Sequence, residues 1–206
     1  FAVLPTKNRS RLAAFLDLMH IQGVETYRAS AGFTAEKATD QLGTIHEKVK
    51  IQKGTILIPN RQPLAPLVSA LLEFDPRMTA EFLTTERRKL LRSGSSKIYD
   101  ITAWNITMLY DLKALSLKMD LPDCAKKVEP KEKRHTARQL KKAPKIAYAV
   151  NGADDLSVTC AAQLLKHGIK VRVADKQSQF GGKMFPRGSV FVIKRDNLSF
   201  KGRSEE

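Results

Sequence analysis

The sequence lacks the features that mark several special classes of protein. No stretch approaches the roughly 18 consecutive apolar residues of a membrane-spanning helix, so no membrane span is predicted. Two cysteines, Cys124 and Cys160, are too few for a disulfide-rich scaffold. The chain begins at Phe1 without the basic and apolar regions of a signal peptide, and we expect it to be a piece of a longer protein. Hydrophobic residues make up 42% of the chain, which excludes a fully disordered protein.

Residues arranged for catalysis or metal binding are also lacking. None of the four histidines is followed three residues later by Glu, which is the spacing of a carboxypeptidase-type zinc site. Cys160 lies within a predicted helix and Cys124 in a predicted loop, so neither has the sharp turn of an activated nucleophile. Gly181 and Gly182 form the most glycine-rich loop, but it lacks the strand–helix context of a phosphate-binding loop. The sequence therefore predicts no catalytic residue, no metal ligand and no cofactor in this chain.

Positive charge, in contrast, is abundant and unevenly spread. The chain has 36 Lys and Arg against 21 Asp and Glu, a net charge of +15. Residues 126–145 hold nine of the basic residues against Glu129 and Glu132, which gives this stretch +7. Its low apolar content predicts an exposed linker. The alternative is a patch for weak, sequence-blind binding of a nucleic acid or another polyanion, because Lys and Arg release counterions from phosphates. The candidate polyanion contacts are Lys126, Lys127, Lys131, Lys133, Arg134, Lys141 and Lys142.

The two ends of the chain repeat one pattern. FAVLP, RLAAFLDLMHIQG and VETYRAS correspond in order to KIAYAV, LSVTCAAQLLKHG and IKVRVAD. Each series predicts a strand, an amphipathic helix that ends at Gly23 or Gly168, and a second strand. A loop with Phe33 or Phe180 and a third strand, KGTILIP or RGSVFVI, follow. Because a helix between two strands implies a right-handed crossover and parallel pairing, we predict a layered α/β fold with a mostly parallel sheet, built from two similar β-α-β-β halves.

A helical insert separates the two halves. Residues 64–74 and 79–92 predict helices, and residues 98–115 predict a strand or turn followed by a helix with Thr102 as its N-cap. The whole chain, 1–206, is interpreted as one domain. Its predicted parts are a first half (1–62), a helical insert (63–115), a basic linker (116–144), a second half (145–200) and a tail (201–206).

Four segments carry a family resemblance that covers almost the whole chain. They are PLAPLVSALLEFDPRMTAEFLTTERRKLL, KIYDITAWNITMLYDL, LLKHGIKVRVAD and FPRGSVFVIKRDN. In this order they resemble the region downstream of the catalytic domain in certain large bacterial zinc carboxypeptidase-like proteins of the carboxypeptidase A superfamily. YDITAW (99–104) and FPRGS (185–189) are the most specific pieces. Where the family has Gln-Pro-Tyr, this chain has Arg61-Gln62-Pro63-Leu64 and lacks the aromatic residue.

The resemblance implies both a fold and a function. The implied fold is class I glutamine-amidotransferase-like and flavodoxin-like, without the amidotransferase nucleophile. Zinc is expected only in a catalytic domain outside this chain, and a periplasmic or secreted location follows only if the parent protein carries a signal peptide. The leading hypothesis is a non-catalytic accessory domain that packs on, or positions substrate for, that catalytic domain, with Tyr99, Asp100 and Trp104 as candidate interface residues. Two alternatives stay open: a basic nucleic-acid or polyanion-binding module, and a degenerate class I amidotransferase-like enzyme.

Overall fold

The chain folds into two units, each with its own internal contacts. The structure, a computed structural model, describes residues 1–75, 78–96, 98, 105–129 and 144–198. Unit 1 comprises Phe1–Thr6 and Leu12–Pro130, and unit 2 comprises Lys7–Arg11 and Lys131–Glu206. Each unit is described below from its own strands and helices.

Unit 1 is built on a seven-stranded sheet. Its strands are β1 (Ala2–Val3), β2 (Tyr27–Ala29), β3 (Phe33–Asp40), β4 (Ile45–Ile51), β5 (Ile56–Leu57), β6 (Ala114–Leu117) and β7 (Ala125–Lys127). Its helices are α1 (Arg9–Ile21), whose first three residues belong to unit 2, α2 (Ala65–Leu72), α3 (Ala80–Ser93) and α4 (Ile106–Leu109). The strand order is β4-β3-β6-β1-β5-β2-β7, and every described pair in this sheet is antiparallel.

Hydrophobic clusters cover both faces of this sheet. Successive residues of a strand point to opposite faces, so Val3 and Ala2 belong to different clusters. The Val3 cluster includes Phe15 of α1 and Leu72 of α2, both with no exposed surface. The Phe15 ring meets the Tyr110 ring edge-on, with a centroid distance of 5.9 Å and an interplanar angle of 73°. The Ala2 cluster consists of smaller side chains and holds Ala29, Ala35, Ala38, Ile51, Leu57 and Leu115.

The helices between β5 and β6 match the prediction only in part. Thr79 caps α3, because its side chain accepts a hydrogen bond from the Phe82 amide, and Gly94 ends α3 with a φ of 66°. The prediction of a helix running to residue 115 is wrong. Among the described residues of this range, the helix comprises the four residues of α4, with Asn105 as their N-cap, and Ala114 begins strand β6, which pairs with β1 and β3. The predicted cap, Thr102, lies outside the described residues.

The described part of unit 2 (7–11 and 144–198) contains two small sheets and one α-helix. Its elements are β8 (Ala147–Val150), α5 (Leu156–Lys166), β9 (Arg172–Val173), β10 (Ser178–Phe180), β11 (Lys183–Phe185), β12 (Val190–Ile193) and a 3₁₀ helix (Lys194–Asn197). One sheet has the order β8-β12-β9, and the other is the β10–β11 hairpin. The backbone is closely packed at Gly152, because a Cβ added there would lie 2.4 Å from the carbonyl carbon of Gly188.

The predicted fold class is wrong. The sheet is not mostly parallel, and the architecture is neither flavodoxin-like nor amidotransferase-like, because all described strand pairs are antiparallel. The crossover through α1 does set β1 and β2 in the same direction, but β5 lies between them and runs the opposite way. In the same manner β12 separates β8 from β9. The FAVLP and IAYAV strands also lie in different sheets, not in one.

The repeated sequence pattern corresponds to a connectivity that both units share. In each unit a strand, a helix and a second strand are followed by a hairpin and a third strand, which inserts between the first two. The hairpins, β3–β4 and β10–β11, occupy the segments expected to be loops around Phe33 and Phe180. Strand β7 and the end of β6 lie within the range 116–144, where a basic linker is predicted.

Candidate polyanion-binding surface

The two units differ strongly in charge. Unit 2 carries 20 Lys and Arg against seven Asp and Glu, a net charge of +13, whereas unit 1 carries 16 against 14, a net charge of +2. The described part of unit 2 (7–11 and 144–198) has 12 basic and four acidic residues. A surface dominated by one sign of charge raises the local concentration of oppositely charged ligands. Unit 2 is therefore the unit with the greater concentration of positive charge.

The β10–β11 hairpin presents an aromatic and a basic side chain together. Gly181 and Gly182 form its two-residue turn, and their φ angles of 56° and 73° have the sign that a type I′ turn requires. The register pairs Phe180 with Lys183 directly across the hairpin. Paired residues of an antiparallel ladder project to the same face, so both side chains lie on one face at the hairpin tip. Phe180 keeps 36% of its surface exposed.

Three phenylalanine rings connect this hairpin to the β8-β12-β9 sheet. The Phe191 ring of β12 meets the Phe180 ring with a centroid distance of 5.5 Å and an interplanar angle of 66°. It meets the Phe185 ring at 5.3 Å and 68°. Both contacts are edge-to-face, the geometry that the ring quadrupoles favour. Phe191 therefore holds both strands of the hairpin against the larger sheet of unit 2.

Basic side chains surround the same hairpin. Lys176, Lys183 and Arg187 are exposed, and the sequence has no Asp or Glu from residue 176 to residue 195. Among the residues that the structure describes, none of these three cations forms an ion pair. Asp196, the next carboxylate, accepts a hydrogen bond of 2.7 Å from Arg172 Nε, which lowers the pKa of Asp196. The cations of the hairpin thus remain available to an anionic ligand.

The predicted polyanion contacts divide into two groups. Lys126 and Lys127 lie in β7, an edge strand of unit 1. Lys126 is paired across the ladder with Arg28, so two like charges face each other there. Lys127 Nζ donates a hydrogen bond of 2.9 Å to Glu25 Oε1, and this contact lowers the pKa of Glu25 and raises the pKa of Lys127. The other five contacts lie outside the described residues, and they are Lys131, Lys133, Arg134, Lys141 and Lys142.

The candidate interface residues of the accessory-domain hypothesis are not placed by the structure. Tyr99, Asp100 and Trp104 all lie outside the described residues. They therefore stay predictions from the sequence.

Histidine and cysteine side chains are described at separate positions. His20 Nε2 lies 3.0 Å from Thr26 Oγ1, and His46 Nε2 lies 2.9 Å from Asp40 Oδ2. Cys124 and Cys160 are both free thiols. Within the described ranges, no group of three or more His, Cys, Asp or Glu side chains is placed to share a metal ion.

Unit 1 also contains an open groove of about 730 Å³. Apolar side chains such as Phe33 and Met119 line it together with charged ones. Arg61 Nη1 and Asp120 Oδ1 are 3.1 Å apart at its rim, where both side chains are more than four-fifths exposed. These opposite charges offset each other, so the groove does not provide the concentrated positive charge found in unit 2.

The aromatic and basic hairpin is the candidate functional feature that sequence reasoning missed. From the sequence, Phe180 is predicted to lie in a loop, and Gly181-Gly182 is not predicted to bind phosphate because the strand–helix context is lacking. A Gly-Gly pair between two short runs is a hairpin signal, because both residues of a type I′ turn need positive φ. That signal, applied to SQFGGKMF, would have placed Phe180 and Lys183 opposite each other.

Comparison with protein-family models, with curated proteins and with solved structures found no match for this chain. The resemblance to carboxypeptidase-associated regions therefore rests on the sequence segments alone. The prediction that no helix spans a membrane is confirmed for the part of the chain that the structure describes, where no helix combines the necessary length and apolar character.

Proposed function

We propose that this chain is a polyanion-binding module and that unit 2 supplies the binding surface. The observation that carries the proposal is the concentration of charge, with +13 of the net +15 in unit 2. The exposed cations Lys176, Lys183 and Arg187 form the described part of this surface. The basic residues predicted as contacts in 130–143 belong to the same unit and extend its charge.

Binding of this kind has a defined physical signature. Each phosphate neutralised by a Lys or Arg releases condensed counterions, so the logarithm of the affinity falls linearly with the logarithm of the salt concentration. For duplex DNA the slope changes by roughly 0.9 for each phosphate contact. We expect binding at low salt that weakens steeply toward physiological salt.

The test is a salt titration of binding to a fluorescent duplex DNA and to heparin. A unit 2 variant replaces Lys176, Lys183 and Arg187 by Gln. The control variant replaces three exposed cations of α3 in unit 1 by Gln, namely Arg87, Arg88 and Arg92. Both variants lose three charges, so only the position of the charges differs. A third variant replaces Lys131, Lys133, Arg134, Lys141 and Lys142 by Ser.

The unit 2 variant should bind duplex DNA with a slope shallower by roughly two to three, whereas the α3 variant should keep a slope close to that of the unchanged chain. The Ser variant should also lose binding at low salt. Equal losses of affinity for the unit 2 and α3 variants would show that net charge alone determines binding, whatever the position of the cations. Absence of binding at low salt would refute the proposal.

The accessory-domain hypothesis stays a second candidate, and one structural observation favours it. Helix α5 exposes Val158 and Leu165 by 73% and 58%, and these residues are seven positions apart on one side of the helix. Exposed apolar side chains at i and i+7, about two turns apart on one side of a helix, are typical of helices that dock on another protein. A catalytic domain of the parent protein is the partner that the sequence resemblance implies. The alternative of a degenerate amidotransferase-like enzyme is not retained. It requires a flavodoxin-like fold with a parallel sheet, whereas all described strand pairs are antiparallel.

The test of this second candidate begins with the DNA upstream of the codon for Phe1. The hypothesis predicts a continuous reading frame that encodes His-x-x-Glu and a later His. It also predicts that the encoded domain binds this chain, and that Val158→Ser with Leu165→Ser weakens the binding. After dialysis, elemental analysis of the purified chain alone should find no stoichiometric zinc. A reading frame without these residues would contradict the hypothesis.

A further inference from the structure

We infer that the β10–β11 hairpin binds single-stranded nucleic acid and that one base stacks on the Phe180 ring. This inference rests on the proposed polyanion-binding function and adds a ligand class to it. Proteins that bind single strands combine cations that follow the backbone with aromatic rings that stack on bases. The hairpin provides both kinds of side chain on one face, at Phe180 and Lys183.

The Phe180 ring is held in place but is not enclosed. Its contact with Phe191 is edge-to-face, with ring planes 66° apart. Such a contact occupies at most one face of the Phe180 ring, so the other face is not covered by Phe191. The 36% exposure of Phe180 agrees with an accessible ring. A ring that is already oriented loses little conformational freedom when a base stacks on it.

The charges near Phe180 suit a phosphate backbone that passes the ring. Lys183 lies directly across the hairpin from Phe180 and shares its face. Lys176 precedes β10 and Arg187 follows β11, so cations also flank the base of the hairpin. No carboxylate occurs in the sequence between these positions to repel a phosphate.

The aromatic ring distinguishes a single strand from other polyanions. Duplex DNA keeps its bases stacked within the helix, and heparin has no bases. Neither gains from an exposed phenyl ring, so charge alone explains binding of those two ligands. A single strand can unstack a base and place it on the ring, and such stacking tolerates any base sequence.

The experiment compares two single-stranded 15-mers, one of thymidine and one in which every base is replaced by an abasic site. Both carry the same backbone charge, and heparin is the third probe. Phe180→Leu retains an apolar side chain that packs against Phe191 while removing the aromatic face. The matched control is Met184→Leu, because Met184 is 54% exposed and lies on the opposite face of the hairpin. Circular dichroism tests whether both variants keep the fold.

The unchanged chain should bind the thymidine strand about tenfold more tightly than the abasic strand, within the range that base–aromatic stacking gives. Phe180→Leu should remove this difference and leave heparin binding and the salt slope unchanged. Met184→Leu should change none of the three affinities, and Phe180→Trp should preserve the preference for the thymidine strand. If Phe180→Leu disturbs the fold, the inference is still tested by the preference of the unchanged chain and of Phe180→Trp for the thymidine strand over the abasic strand.

Equal affinity of the unchanged chain for the thymidine and abasic strands would overturn the inference and leave the polyanion-binding proposal intact. Loss of the base preference in Met184→Leu as well as in Phe180→Leu would also overturn it, since the effect would not depend on the ring. Failure to bind any of the three probes at low salt would refute the underlying proposal.

Discussion

Units 1 and 2 share a connectivity but differ in what surrounds it. Among the described residues, unit 2 contributes only Ala147 and Val190 to the buried hydrophobic residues, and all the others belong to unit 1. Both hydrophobic clusters of the described structure lie in unit 1. Unit 2 instead has most of the net positive charge.

The same connectivity occurs in one unit with buried hydrophobic clusters and in another with a large excess of positive charge. In unit 1 the sheet separates two apolar clusters, so its side chains are largely committed to stability. Small units bury a smaller fraction of their surface and have less hydrophobic stabilisation available. The like charges of unit 2 repel each other in the compact state, and an anionic ligand would relieve that repulsion. The proposed binding function would give such a surface a role.

The largest expected effect comes from the core of unit 1. Phe15→Ala should lower the free energy of unfolding of unit 1 by about 4 kcal/mol, since Phe15 is fully buried and its removal leaves a cavity. Phe191→Ala in unit 2 should cost only about 2 kcal/mol, because Phe191 is partly exposed and its ring partners, Phe180 and Phe185, are not buried either. Urea titrations followed by peptide-level hydrogen exchange measure each unit separately.

Phe15→Leu serves as the control for ring loss without a large cavity, and it should cost less than Phe15→Ala. Equal losses for Phe15→Ala and Phe191→Ala would contradict the difference drawn between the two units.

The next effect tests whether backbone packing stabilises unit 2. Gly152→Ala should destabilise unit 2 by about 3 kcal/mol, because its Cβ would meet the backbone of Gly188 and Ser189 at 2.4 Å. Gly168→Ala is the matched control: its Cβ has open space, and only its φ of 74° is unfavourable, which costs about 1 kcal/mol. Hydrogen exchange in β8 and β12 reports the loss. A smaller effect at Gly152 than at Gly168 would show that the backbone moves apart at little cost.

Local structure was predictable where a single residue determines it. Gly23 and Gly168 follow α1 and α5 with φ angles of 76° and 74°, as the sequence predicts for helix ends. The two helices of the insert were also predicted, α2 from an apolar run with a proline at its start and α3 from the stop signal at Ser93-Gly94. These features depend on neighbouring residues, which a sequence pattern contains.

Strand pairing was not predictable in the same way. The β-α-β pattern correctly requires β1 and β2 to run in one direction, but it does not say which strand lies between them. That place is taken by β5 and, in unit 2, by β12, which follow their hairpins in the chain. The choice depends on contacts between distant residues, such as those of Ala2 with Leu57 and Leu115. The hairpin surface was missed for a related reason, since the pairing of Phe180 with Lys183 follows only once the turn is recognised.

A smaller effect on the thermal midpoint is expected from the two lysines of β7, Lys126 and Lys127. Lys127→Gln should lower the thermal midpoint of unit 1 slightly, because it removes the ion pair between Lys127 of β7 and Glu25, which lies two residues before β2. Lys126→Gln should leave the midpoint unchanged or raise it, because it relieves the repulsion with Arg28 across the ladder. Differential scanning calorimetry of both variants provides the comparison. A lower thermal midpoint for Lys126→Gln than for Lys127→Gln would mean that the ion pair between Lys127 and Glu25 does not stabilise unit 1.

The smallest effect is the pH dependence of the same ion pair. Hydrogen bonds from Lys127 and Tyr27 lower the pKa of Glu25 below its ordinary value of 4.5. A carboxylate whose pKa falls on folding stabilises the folded state above its unfolded pKa, and this stabilisation is lost as the pH falls through the folded value. Glu25→Gln should therefore lower the thermal midpoint at pH 6 to 8, and the difference from the unchanged chain should shrink below about pH 4.5. In a chain that already carries Lys127→Met, the same substitution should have a smaller effect at every pH. A difference that grows on acidification would show that Glu25 destabilises unit 1 when ionised, contrary to the contacts described for it.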